Sequence, residues 1–249
     1  MTEKTIFTKA PITEALLDIQ VVLPPEVDLS TLLTYQEAIK DRYPYKRERM
    51  FLEFGLEATK DRLAQTREPP GGVDGFFFDS PKREKIVQAR LNGYSFSKLK
   101  PYENWEVFCE EAKDLWKHYC AIARPTNIVR LALRYINRID IPLPLSDFNE
   151  YLLTIPEVAP GIPQGLSSFF MRLVIPDSET NLTAIVTELM EPTSLGQDKA
   201  SIILDIDVFQ VITIDTDDER IWDLFEQIRN YKNKIFFSSI TEKANGLFV

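Results

Sequence analysis

Residues 133–142 read LRYINRIDIP, a stretch in which apolar residues largely alternate with charged ones. In an extended strand, successive side chains point to opposite faces. Leu133, Tyr135 and Ile139 therefore share one side, and Arg134 and Arg138 share the other. A strand with one apolar and one charged side is typical of an antiparallel sheet that is covered on one face only.

The same alternation extends this strand back to residue 128. It places Val129 and Leu131 on the apolar side, and Ile128 and Arg130 on the charged side. Three arginines spaced four residues apart on one side repel each other unless carboxylates from neighbouring strands lie between them. The stretch therefore predicts a central strand whose neighbours supply acidic residues.

Two further stretches have the spacing of long amphipathic helices, NWEVFCEEAKDLWKHYCAIAR (104–124) and DDERIWDLFEQIRNYKNKIFF (217–237). Both repeat apolar residues at intervals of three and four. Pro125 ends the first helix, and the acidic residues before the second suit the positive end of a helix dipole. Trp105 and Trp222 lie 117 residues apart, as do Phe108 and Phe225.

The offset of 117 residues also relates two strands, because LLDIQVVLPP (16–25) falls on LRYINRIDIP. A short helix with a polar start is predicted after each strand, from Ser30 in one case and from Ser146 or Asp147 in the other. Three or four strands and a long helix follow in each half. Similarity at a fixed period indicates duplication, so the sequence predicts the order β-α-β-β-β(β)-α twice, over about 11–125 and 128–249.

The predicted fold class is α+β. Two duplicated halves join their antiparallel sheets edge to edge, and the two long helices lie on one face, as in saddle and helix-grip folds. One half alone would leave its sheet uncovered, so we expect residues 1–249 to fold as a single domain.

Composition limits the classes of partner and compartment. The 249 residues carry a formal charge of −9, which disfavours non-specific binding to phosphate backbones. The sequence contains no run of about 18 apolar residues, which is the length that predicts a membrane span. Residues 1–10 lack the apolar core of a secretory signal. Cys109 and Cys120 lie in one predicted helix and cannot form a local disulfide. We therefore expect a cytoplasmic protein that does not contact membranes.

The charged side of the sheet is the candidate binding surface. Arginine binds carboxylates and other anions through paired hydrogen bonds, whereas a solvated face crossed by ion pairs is the alternative interpretation. Other strands add charges that we expect on the same face: Glu14, Asp18, Glu53, Arg90, Arg172, Glu188, Asp205 and Asp207. The residues predicted to bind a protein partner or a small anionic ligand are Arg130, Arg134, Arg138, Asp140, Asn137 and Arg172.

Motifs for catalysis are sparse. His118 is the only histidine, so a His-based triad or a His-rich metal site would depend on it. No phosphate-binding glycine loop or nucleophile elbow occurs. Residues 215–226 place carboxylates as in a calcium loop, but Arg220 stands where glycine is required. We expect no cofactor and no tightly bound zinc; the candidate ligands for a divalent metal are Asp205, Asp207 and Glu188.

Four separated stretches together resemble a known family: APITEALLDIQVVL (10–23), GYSFSKLKPYENWEVF (93–108), LRYINRIDIP and KNKIFFSSITE (232–242). The family consists of sporadically distributed prokaryotic proteins of uncharacterised function. The resemblance implies genes that move horizontally, as those of defence, toxin–antitoxin and mobile-element systems do. The matching positions are Gly93, Tyr94, Phe96, Pro101, Tyr102, Trp105, Arg134, Tyr135, Asn137, Arg138 and Asp140.

These observations favour a non-catalytic binding module that recognises its partner on the charged sheet face. The resemblance adds the context of an accessory to a mobile defence or toxin–antitoxin type system. One alternative is a saddle that binds nucleic acid, which the acidic charge disfavours. Another is a metal-dependent hydrolase or nuclease that uses the three carboxylates named above. Association of the chain with further copies of itself is compatible with each interpretation.

Overall fold

The computed structural model describes residues 9–51, 72–192, 196 and 198–249. The elements in chain order are β1 (Ile12–Val22), α1 (Leu29–Leu33), α2 (Tyr35–Ile39), β2 (Tyr45–Phe51), β3 (Gly72–Asp79), β4 (Lys85–Arg90), β5 (Gly93–Leu99), α3 (Trp105–Ala123), β6 (Asn127–Pro142), a 3₁₀ turn (Phe148–Glu150), β7 (Phe169–Asp177), β8 (Leu182–Met190), β9 (Lys199–Ile214), α4 (Arg220–Ser239), α5 (Glu242–Asn245) and a second 3₁₀ turn (Gly246–Phe248).

All nine of these strands belong to one antiparallel sheet, in the order β2-β3-β4-β5-β1-β6-β9-β8-β7. The predicted α+β class with a large antiparallel sheet is confirmed. The strand β6, which contains LRYINRIDIP, is 16 residues long and pairs with β1 on one side and β9 on the other. Pairing across β1 and β6 therefore joins the strands of the two predicted halves into a single sheet.

The long helices pack on one face of the sheet, which we call the helix face. The Tyr94 hydroxyl of β5 donates a hydrogen bond to the Ala112 carbonyl of α3 at 3.1 Å, and Phe96 stacks on Phe108. On the other half, the Lys232 amine of α4 lies 3.7 Å from the centre of the Tyr135 ring. The opposite side, on which none of the described helices packs, is the helix-free face. None of the described helices combines the length and the apolar character that crossing a membrane requires.

The short helices differ from the sequence prediction. Asp28 rather than Ser30 caps α1, because its carboxylate accepts a hydrogen bond from the Thr31 backbone N–H at 2.9 Å. The predicted single helix is divided at Thr34 into α1 and α2. In the second half, Asp147 caps only a 3₁₀ turn. Caps and turns are local interactions, and tertiary packing decides how far a helix continues beyond them.

A bulge changes the predicted sides of β6 at its start. The register of β6 against β9 shifts between Ile128 and Arg130, so Ile128 is buried while Val129 is half-buried. The expected assignment of these two residues was wrong, because one extra residue in a strand reverses the side of every residue before it. From Leu131 to Ile141 the alternation is as predicted.

The offset of 117 residues fits the helices better than the strands. Phe108 and Phe225 are both buried. Leu16, by contrast, lies opposite Arg134 on the helix-free face, whereas Leu133 is buried. The letter-by-letter match of the two strands therefore does not hold for side-chain direction, because the pairing of β1 with β6 places Leu17 rather than Leu16 on the face of Leu133.

Gly93 provides a test of the sheet geometry at β5. Its φ is +153°, and a Cβ at this position would lie 2.3 Å from the Ile19 carbonyl oxygen of β1. We expect Gly93→Ala to lower the free energy of unfolding by about 1–3 kcal/mol, because backbone rather than a flexible side chain must move. Chemical denaturation measures the change. Gly165→Ala is the control, since nothing lies within 4 Å of its Cβ position; an equal effect of both variants would contradict this account.

Candidate partner-binding face

The predicted arginines lie together on the helix-free face. Directly opposite residues of antiparallel strands share a face, and Arg134 of β6 lies opposite Asp207 of β9. Asp205 lies opposite Ile136, and therefore on the same face. Arg172 of β7 is connected to this row through Thr187 of β8, which pairs with both Arg172 and Asp205.

Two predicted site residues lie on the helix face instead. Asn137 is buried, and its side-chain amide donates a hydrogen bond to the Leu204 carbonyl at 3.0 Å. Glu188 lies opposite Leu204 and is 1% exposed. Asn137 therefore does not share a surface with Arg134 and Arg138.

The position of Glu188 also separates the candidate metal ligands. Asp205 and Asp207 lie on the helix-free face, so the sheet stands between them and Glu188. The expectation that these three carboxylates share one face was wrong. In the described ranges, no group of three or more His, Cys, Asp or Glu residues is placed to hold a metal ion. Glu53 lies outside the described residues.

A chain of ion pairs crosses the middle of the helix-free face. The Asp18 carboxylate of β1 accepts hydrogen bonds from Arg90 of β4 at 2.5 Å and from Arg130 of β6 at 3.3 Å. Arg130 also reaches Asp207 of β9 at 3.4 Å. Asp18 and Arg90 are buried. Burial raises the pKa of Asp207 above its ordinary value despite the neighbouring Arg130 and Arg134 guanidinium groups.

Arg134 and Arg138 are held in place by carboxylates but remain accessible. Arg134 donates to Asp205 from Nε at 2.9 Å and from Nη2 at 2.6 Å, and this hydrogen bonding raises the pKa of the guanidinium. Arg138 lies 3.1 Å from Asp140 and 3.0 Å from Glu191. Their side chains are 46% and 42% exposed, respectively. Each arginine therefore presents donors to solvent from a fixed position.

Apolar side chains lie in the same cross-strand rows as these arginines, and those at the outer end of the rows, on β7, are exposed. Arg138 begins a cross-strand row that continues through Ile203 of β9, Leu189 of β8 and Phe170 of β7. A parallel row runs from Arg134 through Asp207 and Ile185 to Val174. Phe170 and Val174 are 67% and 54% exposed. We call this surface the apolar–arginine patch; its members are Arg134, Arg138, Arg172, Phe170, Val174, Ile185, Leu189 and Ile203.

The sequence prediction found the arginines of this patch and missed its apolar members. The missed signal lies in FFMRLVI (169–175), which is apolar on both sides of the strand. A strand that is apolar on both sides is expected to be covered on both faces, yet β7 is exposed along most of its length. The apolar side chains therefore face solvent where the alternation rule predicts polar ones.

The remaining candidates for chemistry do not form a catalytic arrangement. Burial raises the pKa of Cys109 to about 11 and that of Cys120 to about 12, so both thiols stay protonated and weakly nucleophilic at neutral pH. The His118 ring lies 3.9 Å from Asp114 on the surface of α3. The carboxylate of Glu226, the last residue of the calcium-loop pattern, accepts hydrogen bonds from Trp105 and Arg229.

Comparison of the sequence with models of known protein families and with curated proteins finds no match.

Glu188 is buried among the described residues without a hydrogen-bond partner for either carboxylate oxygen. Burial raises its pKa from 4.5 to about 7. Between about pH 4.5 and 7, the folded state therefore keeps a proton on Glu188 that the unfolded state has lost. The stability contribution of this group is fully present below pH 4.5 and is lost as the pH rises through 7.

We expect Glu188→Met to stabilise the protein at pH 8, where the wild type carries a buried, unpaired charge. The gain should be about 1–3 kcal/mol and should be smaller at pH 5, where Glu188 is largely protonated. Denaturation at both pH values measures it, with the exposed Glu157→Met as control. A destabilisation of equal size at pH 5 and pH 8 would show that the Glu188 carboxylate does not titrate in the folded protein as its burial implies.

Proposed function

We propose that this protein is a non-catalytic binding module that recognises a protein partner through the apolar–arginine patch. The observation that carries the proposal is the position of Arg134 and Arg138, fixed and accessible on the same face and in the same cross-strand rows as exposed Phe170 and Val174. Protein interfaces are enriched in aromatic residues and arginine, and a contiguous apolar surface is a common feature of them.

Anchoring of the arginines supports this function energetically. A free arginine side chain loses rotamer freedom when a partner binds, at a cost of about 0.5–1.5 kcal/mol. Arg134 already donates two hydrogen bonds to Asp205, and Arg138 is held by contacts with Asp140, Glu191 and Ser201. Much of this ordering is therefore complete before the partner arrives.

The charge balance of the face favours a protein over an anionic ligand or a nucleic acid. Phosphate recognition relies on a surplus of positive charge. Here the arginines of the central strands, Arg90, Arg130, Arg134 and Arg138, lie among Glu14, Asp18, Asp140, Asp205 and Asp207. A surface with balanced charge and exposed apolar side chains suits a partner that supplies both apolar and polar groups.

The finer architecture belongs to the same proposal. We infer an internal duplication, in which about 11–125 and 128–249 are copies that meet between β1 and β6. Support comes from the strand order, since β5, β4 and β3 lie outside β1 as β9, β8 and β7 lie outside β6. A saddle-like sheet and an accessory role in a mobile defence or toxin–antitoxin type system are parts of the proposal that follow from the predicted repeat and from the family resemblance.

We expect the double variant Arg134→Gln/Arg138→Gln to lose partner binding while it remains folded. Both side chains point away from the helix face, so the free energy of unfolding should fall by about 1 kcal/mol or less for each. Binding should weaken by about 2–5 kcal/mol, because a partner group opposite each arginine is left desolvated and unpaired. Thermal unfolding and affinity capture from an extract of the native cells measure the two effects.

Arg42→Gln/Arg220→Gln is the matched control for this experiment. Arg42 and Arg220 are exposed, are ion-paired to Asp114 and Asp218, and lie outside the patch. The control makes the same change in net charge, so it should retain the captured proteins. The proposal fails if the patch variant captures the same proteins in the same amounts as wild type, or if both double variants lose them alike.

A further inference from the structure

The two outer strands of the sheet differ in how their edges are protected. An unpaired edge strand is a template for pairing with another chain unless charges, prolines, bulges or short length prevent it. The outer strand β2 carries Lys46, Arg47, Glu48 and Arg49, and its register shifts between Arg49 and Met50. The outer strand β7 has nine residues and pairs with β8 without a shift; Arg172 is its only charge before Asp177, and its one proline, Pro176, lies next to its last residue.

The exposure of β7 extends to both faces. Phe170 and Val174 are exposed on the helix-free face, and Leu173 and Ile175 are exposed on the helix face. The long helix α4 packs mainly on β6 and β9. Among the described residues no strand pairs with the outer edge of β7, and an apolar strand with such an edge and with exposed side chains on both faces has the properties of a strand that pairs with another strand.

The position of Pro176 indicates which backbone groups point away from the sheet. Proline occurs in a sheet where its missing N–H would face outward from an edge strand. In an antiparallel strand, alternate residues direct N–H and C=O to the same side. Since β7 pairs continuously with β8 from Phe169 to Asp177, Arg172 and Val174 share the outward direction of Pro176.

We propose that β7 pairs antiparallel with β7 of a second copy of this chain, about a two-fold axis perpendicular to the sheet and close to Val174. The two nine-stranded sheets then form one continuous sheet, and the patches of both copies lie on the same side of it. This inference goes beyond the proposed function, because it concerns the edge of the sheet rather than recognition by Arg134 and Arg138.

The sequence of β7 is complementary to itself in this register. An axis perpendicular to the sheet keeps residues of one face together, so Val174 lies opposite Val174, and Leu173 lies opposite Ile175. Arg172 then faces Pro176, and the two Arg172 side chains stay well apart. An axis at Arg172 would place two arginines directly opposite each other, which is unfavourable. Self-pairing at Val174 thus covers apolar groups on both faces without opposing like charges.

The expected dimer is weak and reversible. A stable interface of standard size buries about 800 Å² on each partner, and one strand of nine residues with its flanking side chains is a narrow contact. We therefore expect dissociation on dilution, with a Kd of roughly 1–100 µM.

Sedimentation velocity over a concentration series tests the proposal on the full chain. Val174→Lys places a charge at the centre of the expected interface, and Val174→Pro removes an outward N–H without removing a hydrogen bond to β8. Each variant should weaken dimerisation at least tenfold.

Val211→Lys is the matched control, since Val211 is an equally apolar, exposed residue on β9, away from both edges. It should dimerise as wild type does. Thermal unfolding establishes that each variant is folded, and Val174→Lys is decisive if the proline variant is not.

Three results would overturn the proposal. Wild type could remain monomeric up to roughly 1 mM, where even a millimolar interface is half-populated. A dimer could persist in folded Val174→Lys, which would place the contact elsewhere. Dimerisation of folded Val174→Pro as tight as that of wild type would show that the outward N–H of Val174 takes no part in the contact. Arg134→Gln/Arg138→Gln should dimerise normally, so failure of the proposed function and failure of this inference are distinguishable.

Discussion

Pairing of β6 with its two neighbours is the constraint on which the rest of the structure depends. The strand runs for 16 residues between β1 and β9, and its apolar side chains lie on the helix face along most of that length. A slip of one residue would exchange Leu133 and Tyr135 for Arg134 and Ile136 in the core. The burial of Leu133 and Tyr135 therefore fixes the register of the sheet centre, and that register decides which charges meet on the opposite face.

The sequence was sufficient where one local pattern controlled the outcome. The helical spacing in 104–124 and 217–237 gave α3 and α4, and the alternation from Leu131 to Ile141 gave the two faces of β6. It was insufficient at Ile128, where a bulge reverses the sides, and at Glu188, where neighbouring letters do not show which face is covered. Both depend on pairing between strands that are distant in sequence. The arginines were thus found, while their apolar neighbours on β7 and β8 were not.

The helix-free face combines two regions with different physical roles. Near β1 its charges are buried or half-buried and pair with each other, which fixes the side chains and leaves little of them to contact a ligand. Toward β7 the carboxylates hold Arg134 and Arg138 while apolar residues remain exposed. Burying an ion pair is roughly neutral for stability, whereas breaking one by removing a single partner is costly. The first region therefore maintains the shape of the sheet, and the second is available for contact.

The connected charges Arg90, Asp18, Arg130 and Asp207 have an evolutionary consequence. They come from β4, β1, β6 and β9, so each half of the chain supplies both a cation and an anion to one network. Replacing a single member leaves a buried neighbour uncompensated, and the effects of substitutions in contact are not additive. The effects of substitutions at Asp18 and Arg130, which are in contact across the junction of the two halves, are therefore expected to depend on each other. If the halves did arise as copies, this contact couples the later changes of one half to those of the other.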